Sequence, residues 1–237
     1  AIYILLRFVF SVFGQAFSFA VVPLQDILLT LGVAVILSAS LMAIYQENIK
    51  QLFAYSSIAQ IGYIMLSFGL NSTNGLMASL LHLFNHALMK GALFLALAAV
   101  VFRTGSSQIE HFSGLAKQMP WTMAAMVISC MSLVGMPLTV GFISKWYMLT
   151  ASIESGWWLL AGIILLGSLL SIIYVWRIIE TAYFQPVQAS NVQAKEAPLS
   201  LLMPVWILTL ANIYFGIDSR LTVSVSHAAI QSLVGGM

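Results

Sequence analysis

The sequence runs to 237 residues, 61% hydrophobic and 7% charged, where a soluble domain carries roughly a quarter charged residues, so a water-exposed globule is excluded. A formal net charge of +2 with no basic run leaves nothing to neutralise a series of phosphates and excludes nucleic acid as a partner. The single cysteine, Cys130, excludes an internal disulfide and an iron–sulfur cluster.

A hydrocarbon layer about 30 Å thick takes around 20 apolar residues per crossing helix. Run length and polar breaks give seven apolar segments, at 1–13, 27–45, 51–70, 76–102, 121–150, 157–179 and 199–217. The first is short: Arg7 interrupts it and Gly14 and Gln15 close it, with no charged leader or small-residue cleavage site of a signal peptide. It reads as a helix cut inside a span. The other six are each long enough to cross. Pro23, Pro120, Pro186 and Pro198 fall between segments, and Pro204 lies near the start of the last helix, where its fixed φ is tolerated. Pro137 is different, lying within 121–150 and flanked by Gly135 and Gly141. The spacing predicts a break near mid-membrane, where non-helical backbone persists only if it is buried in protein or lines a wet cavity. A simple proline kink is the plainer alternative.

With helices alternating in direction, Lys50, Arg103, Lys117, Arg177 and Lys195 gather on one face and Arg220 on the other, which makes the first face cytoplasmic. Trp121 and Trp176 fall at that boundary and Trp157 and Trp158 at the outer one, as interfacial belts do. The connection from Gln185 to Pro198 is too short for a soluble module. The expected product is an all-α, polytopic transmembrane bundle in a bacterial inner membrane, spanning 1–217, with a tail over 218–237.

An ionisable side chain in hydrocarbon needs a partner, a water path or a function. Segment 76–102 holds three, His82, His86 and Lys90, whose spacing of four puts them on one stripe with Ser79 and Asn85 close by. Histidine titrates near neutral pH and a lysine held out of water can release its proton, so the stripe can pass protons along. Hydrogen bonding to neighbouring helices is the structural alternative. Zinc is disfavoured: Leu83, Phe84 and Asn85 stand between the histidines where a metalloprotease helix has its glutamate, and no further ligand is near. Lys145 follows the break by eight residues, about 12 Å along a helix axis, and is either hydrated by freed backbone groups or snorkelling to an interface. Lys50 sits beside Glu47 at the head of segment 51–70, and Arg177 and Glu180 lie one turn apart as an expected interfacial ion pair.

Three stretches taken in order, Asn48 to Tyr63 (with Ala-Tyr-Ser-Ser inside it), His82 to Leu95, and Gly135 to Lys145, resemble the proton-antiporter membrane domain shared by Mrp-type cation/proton antiporters, complex I and membrane-bound hydrogenases. Ile-Ser-Lys-Trp-Tyr at 143–147 and Ile-Tyr-Val-Trp-Arg at 173–177 look closest to the D-type component of the Mrp antiporter. The resemblance implies two inverted repeats, each with a broken helix and a buried lysine on a hydrophilic axis, of which this chain carries the second. The first repeat has no counterpart here, and the chain begins just after a lysine that the family usually carries. By motif, Lys90 and Lys145 match the lysines of the second half-channel, His82 and His86 the connecting histidines, and Lys50 the lysine heading the Ala-Tyr-Ser-Ser helix. The implied function is exchange of protons for a monovalent cation, sodium first, within an assembly of other membrane subunits. The alternatives are a pump subunit of a redox enzyme and a non-transporting scaffold. The sequence has no flavin, nicotinamide or iron–sulfur motif, so no cofactor and no bond-making chemistry are expected.

Overall fold

The computed structural model describes residues 2–15, 17–187 and 194–234, with the side chains of Tyr3 and Val234 left aside; Ala1, the position of the expected cut, lies outside them. A short helix α1 (Ile2–Arg7) runs into a π-helical turn, and a second such turn precedes the long helices α2 (Leu24–Ile44), α3 (Ile49–Gly69) and α4 (Thr73–Thr104). Two half-length helices follow, α5 (Pro120–Val134) and α6 (Val140–Glu154), then α7 (Trp158–Ile179), α8 (Leu199–Ile217) and α9 (Arg220–Val234). The predicted segments fall on these helices. The 121–150 run is split: fifteen residues rise only about 22 Å, so α5 and α6 cross together and neither crosses alone. Five helices, α2, α3, α4, α7 with its π-helical continuation to Phe184, and α8, are individually long and apolar enough to span.

Ends are set by local chemistry. The Asn48 side chain accepts from the Lys50 N–H at 3.0 Å and the Ser72 hydroxyl from the Gly75 N–H at 3.1 Å, each satisfying a donor that the first turn leaves over. Gly105, at φ 72°, closes α4 in the left-handed conformation. The α5 terminus borrows a cap from far along the chain, because the Glu196 carboxylate accepts from the Trp121 N–H at 2.8 Å and from the Thr122 hydroxyl.

The helices alternate in direction and the basic residues do share one end. There Arg103 donates to the Glu196 carbonyl, Ile109 to that of Glu47, and Arg177 to those of Ile44 and Gln46. The interfacial pair expected between Arg177 and Glu180 is thereby corrected, since two carbonyls at the α2 terminus take the guanidinium instead. Among the described residues the ion pair observed is Arg220–Asp218 at 2.7 Å, outside the long helices. At the opposite end Asn74 bonds Glu154, joining the start of α4 to the end of α6.

Packing follows the rule for helices dissolved in lipid, with small and polar residues inside and large apolar ones outside. On α7 Leu165, Leu169, Ile172 and Trp176 are exposed while Gly167, Ser171 and Tyr174 are buried. Helices α2 and α3 meet at Gly32 and Gly62, where an added Cβ would come within 3.0 Å of the facing backbone. The tail after Asp218 carried no expectation beyond its boundary. Most of it is α9, whose Ile230 packs with Phe10, Met77 and Leu81. The described residues form an all-α polytopic membrane bundle with a broken helix at α5–α6.

Candidate functional site: a lysine–histidine row at a broken helix

The break is built by Gly135 and Leu138. Gly135 ends α5 at φ 95°, donating to Met131 and Ser132, and Leu138 holds φ 69° before Thr139 starts α6 in extended conformation. Pro137, the expected cause, lies in the connection and removes no bond from either helix. Gly141 allows the close approach: a Cβ there would fall on the Ser132 carbonyl. Gly216 of α8 also sits close against the Thr139 backbone, where an added Cβ would clash.

A helix end leaves carbonyls unsatisfied. Those of Leu133 and Val134 are taken by the Lys145 ammonium, at 3.1 and 2.8 Å, as the side chain folds back over the break, and its third partner is the Ser168 hydroxyl of α7 at 3.0 Å. The ammonium also stands 5.1 Å from the centroid of the Tyr63 ring. Lys145 is therefore drawn inward and does not snorkel.

The stripe on α4 is brought into the bundle. Lys90 donates to the Phe53 carbonyl at 2.9 Å and contacts the Ser56 hydroxyl, both on α3. His82, with no exposed surface, is bonded on both ring nitrogens: Nε2 to Gln60 Oε1 at 2.9 Å and Nδ1 to the Ser144 hydroxyl at 2.8 Å. The Gln60 carbonyl accepts from Nε2, while Ser144 Oγ, which also lies within reach of the Val140 and Gly141 carbonyls, meets Nδ1 in a contact whose donor is set by the ring's tautomer. His86 stacks on His82 with ring centroids 6.4 Å apart, and its buried Nε2 has no hydrogen-bond partner among the described residues. Asn85 joins the row to the break by donating to the Val140 carbonyl at 2.8 Å. Lys50 is not brought into this row. It is exposed at the head of α3, beside Phe94, Leu97 and Ser107.

Lys90 and Lys145 are thus buried on neutral carbonyls and hydroxyls, with no carboxylate among their hydrogen-bond partners. Nothing in that set locks either group in its charged form. Between them lie two imidazoles, one clamped and one with a free nitrogen. Sequence reasoning did not single out Gln60, Ser144, Ser56 or Ser168. The first three lie inside quoted motifs, while Ser168 had no signal.

A broken helix capped by a buried lysine, with a lysine–histidine row on the facing helix, defines a polytopic membrane protein built around a polar interior. The chain belongs to the family described as NADH:quinone oxidoreductase/Mrp antiporter, TM, which matches residues 1–171. It is 35% identical over 236 residues to NADH-quinone oxidoreductase subunit N of Desulforudis audaxviator, covering 94% of this chain and 46% of that protein. Among solved structures it resembles a chain of the archaeal membrane-bound sulfane sulfur reductase, at a TM-score of 0.77 and 36% identity over 81% of this chain and 32% of that one. It also resembles a chain of the Mrp complex of Dietzia sp. DQ12-45-1b, at a TM-score of 0.82 and 23% identity over 89% and 47%. The chain spans less than half the length of each of these proteins.

Proposed function

We propose that this chain forms a proton half-channel of a membrane subunit in a redox-driven respiratory complex, with protons passing between Lys90 and Lys145 by way of His86 and His82. The observation that carries the reading is Lys145: a buried ammonium closing a broken helix, in line with the α4 row and held by neutral acceptors alone. Lys50, exposed at the basic end, is the entry point in this scheme. The redox setting is preferred because a relative similar along 94% of the chain carries the name NADH-quinone oxidoreductase subunit N. Partner subunits would then hold the cofactors, and the home of the complex would be a bacterial cytoplasmic membrane. The antiporter reading, with sodium as the exchanged ion, stands second. It draws on the 143–147 and 173–177 motifs, whereas the likeness to the Mrp complex at 23% identity speaks to the fold alone.

The test uses charge. Arginine keeps its proton at every accessible pH, so Lys90→Arg and Lys145→Arg in the assembled complex should abolish or severely slow proton translocation in membrane vesicles, with the amount of complex little changed. Near-normal translocation in both variants removes the proposed path. Proton uptake that follows electron-donor oxidation supports the redox setting, and uptake that follows a sodium gradient alone supports the antiporter.

A further inference from the structure

Among the described residues the row on α4 leaves a buried phenol unused. Tyr174 of α7 has no exposed surface and its oxygen makes no well-formed hydrogen bond among the described residues, while the Ser171 and Ser56 hydroxyls are its nearest hydrogen-bonding neighbours and Tyr63 and Cys130 its electrostatic ones. A phenol buried without a partner costs free energy. Its position is the informative part. Ser56 is the hydroxyl that Lys90 contacts and Ser168 the one that Lys145 bonds at 3.0 Å. Ser168, Ser171 and Tyr174 follow at intervals of three on the inner face of α7, about 9 Å from end to end at 1.5 Å per residue. Ser171 donates to the Ser168 carbonyl at 2.6 Å, and Tyr63 lies beside Ser168 as well as Tyr174.

We propose that Tyr174, with Ser56, Ser171 and Ser168, forms a second proton route between Lys90 and Lys145, running along α3 and α7 in parallel with the histidines of α4. The inference rests on the proton half-channel reading. Each hydroxyl accepts a proton on its oxygen and releases its own on the far side, so the hydroxyls end unchanged. One proton leaves the Lys90 ammonium, which becomes a neutral amine, and one arrives at the neutral Lys145 amine, which becomes an ammonium. A water molecule completes any step wider than a hydrogen bond. Tyr174 is the residue on which the route turns, because it stands near both Ser56 of α3 and Ser171 of α7.

Tyr174→Phe removes one oxygen and keeps the ring. That oxygen makes no well-formed hydrogen bond among the described residues, so a purely structural role predicts unchanged transport in any background. The parallel route predicts a modest loss in Tyr174→Phe alone and a partial loss in His86→Ala alone. The double variant should lose more than the product of the two, by a further factor on the order of tenfold, the scale of coupling inside one network. Translocation is measured in vesicles containing the complete complex at equal assembled amount, in H2O and in D2O. The transport left in His86→Ala should show the larger solvent isotope effect, and Ser171→Ala should reproduce the Tyr174→Phe result should that variant assemble poorly. Losses that simply multiply, an unaffected double variant, or a His86→Ala variant with no transport left would each overturn the second route. Near-normal Lys90→Arg and Lys145→Arg variants would instead remove the half-channel beneath it, so the two failures are distinguishable.

Discussion

Two carbonyls are left over where α5 stops, and a lysine of the next helix supplies their donor; on α4 the same economy of partners separates two histidines that look alike in sequence. His82 is bonded on both nitrogens, to Gln60 and Ser144, while the His86 Nε2 has no partner among the described residues. Truncating them should therefore have different costs. His82→Ala strands the buried Gln60 carbonyl, worth about 1–3 kcal/mol when left unsatisfied, and leaves Ser144 with the Val140 and Gly141 carbonyls, whereas His86→Ala removes a side chain whose buried Nε2 has no hydrogen-bond partner among the described residues. We predict that His82→Ala lowers the thermal stability of the purified complex clearly more than His86→Ala. Equal losses, or the reverse order, would contradict the assigned hydrogen bonds. The lysines and histidines were legible in the sequence because an ionisable group inside an apolar run needs an explanation. Their supports were not, since serines throughout these helices bond their own backbone, as Ser67 does to Tyr63 and Ser129 to Ala125. Residue type alone could not single out Ser168.

At the scale of the helix, the break was legible but its cause lies in different residues from the expected one. Pro137 is the strongest helix breaker in the segment, yet the chain has already left the helix at Gly135, and the return is made through Leu138 at a positive φ that costs a non-glycine residue roughly 1–2 kcal/mol. What fixes the distance between the halves is Gly141, pressed onto the Ser132 carbonyl, with the Met89 sulfur also close to where a Cβ would stand. From this follows an order of sensitivities. Gly141→Ala forces α5 and α6 apart and should destabilise by about 1–3 kcal/mol, as overpacking does, displacing Lys145 from its carbonyls and lowering translocation. Pro137→Ala should be nearly silent in both respects. Leu138→Gly relieves the positive φ but makes the unfolded chain more flexible, so its net effect should be a gain of about 1 kcal/mol or less. Thermal denaturation of the complex, alongside vesicle transport, checks all three. A Pro137→Ala variant as damaged as Gly141→Ala would return the break to the proline.

For the whole molecule, run lengths and loop charges marked the long helices and the basic residues that share one end, because the bilayer requires long apolar runs and the chain has few charges to confuse the reading. The α9 helix was not legible: its apolar positions, Leu221, Val225, Ala229 and Ile230, are diluted by Ser, Thr and His, and it is too short to announce a span. Sidedness is the remaining property at this scale. The structure gathers Lys50, Arg103, Lys117, Arg177 and Lys195 at one end, where Arg103 and Arg177 are tied to carbonyls and so cannot drift to the opposite face. The other end presents the Asn74–Glu154 contact and the Asp218–Arg220 pair, in which Arg220 donates through its side chain and its backbone N–H and holds the Asp218 carboxyl down at about 2. Positive residues in short loops mark the cytoplasmic face, and acidic ones contribute little to that choice. The end bearing the five basic residues should therefore be cytoplasmic. The native Cys130 is fully buried, so an introduced thiol reports without background. A membrane-impermeant maleimide applied to intact cells should label Ser155→Cys, at the α6–α7 turn, and leave Lys117→Cys untouched. Inverted vesicles should show the opposite pattern. Labelling of Lys117→Cys from outside intact cells would reverse the orientation, and with it the direction in which Lys50 stands as an entry.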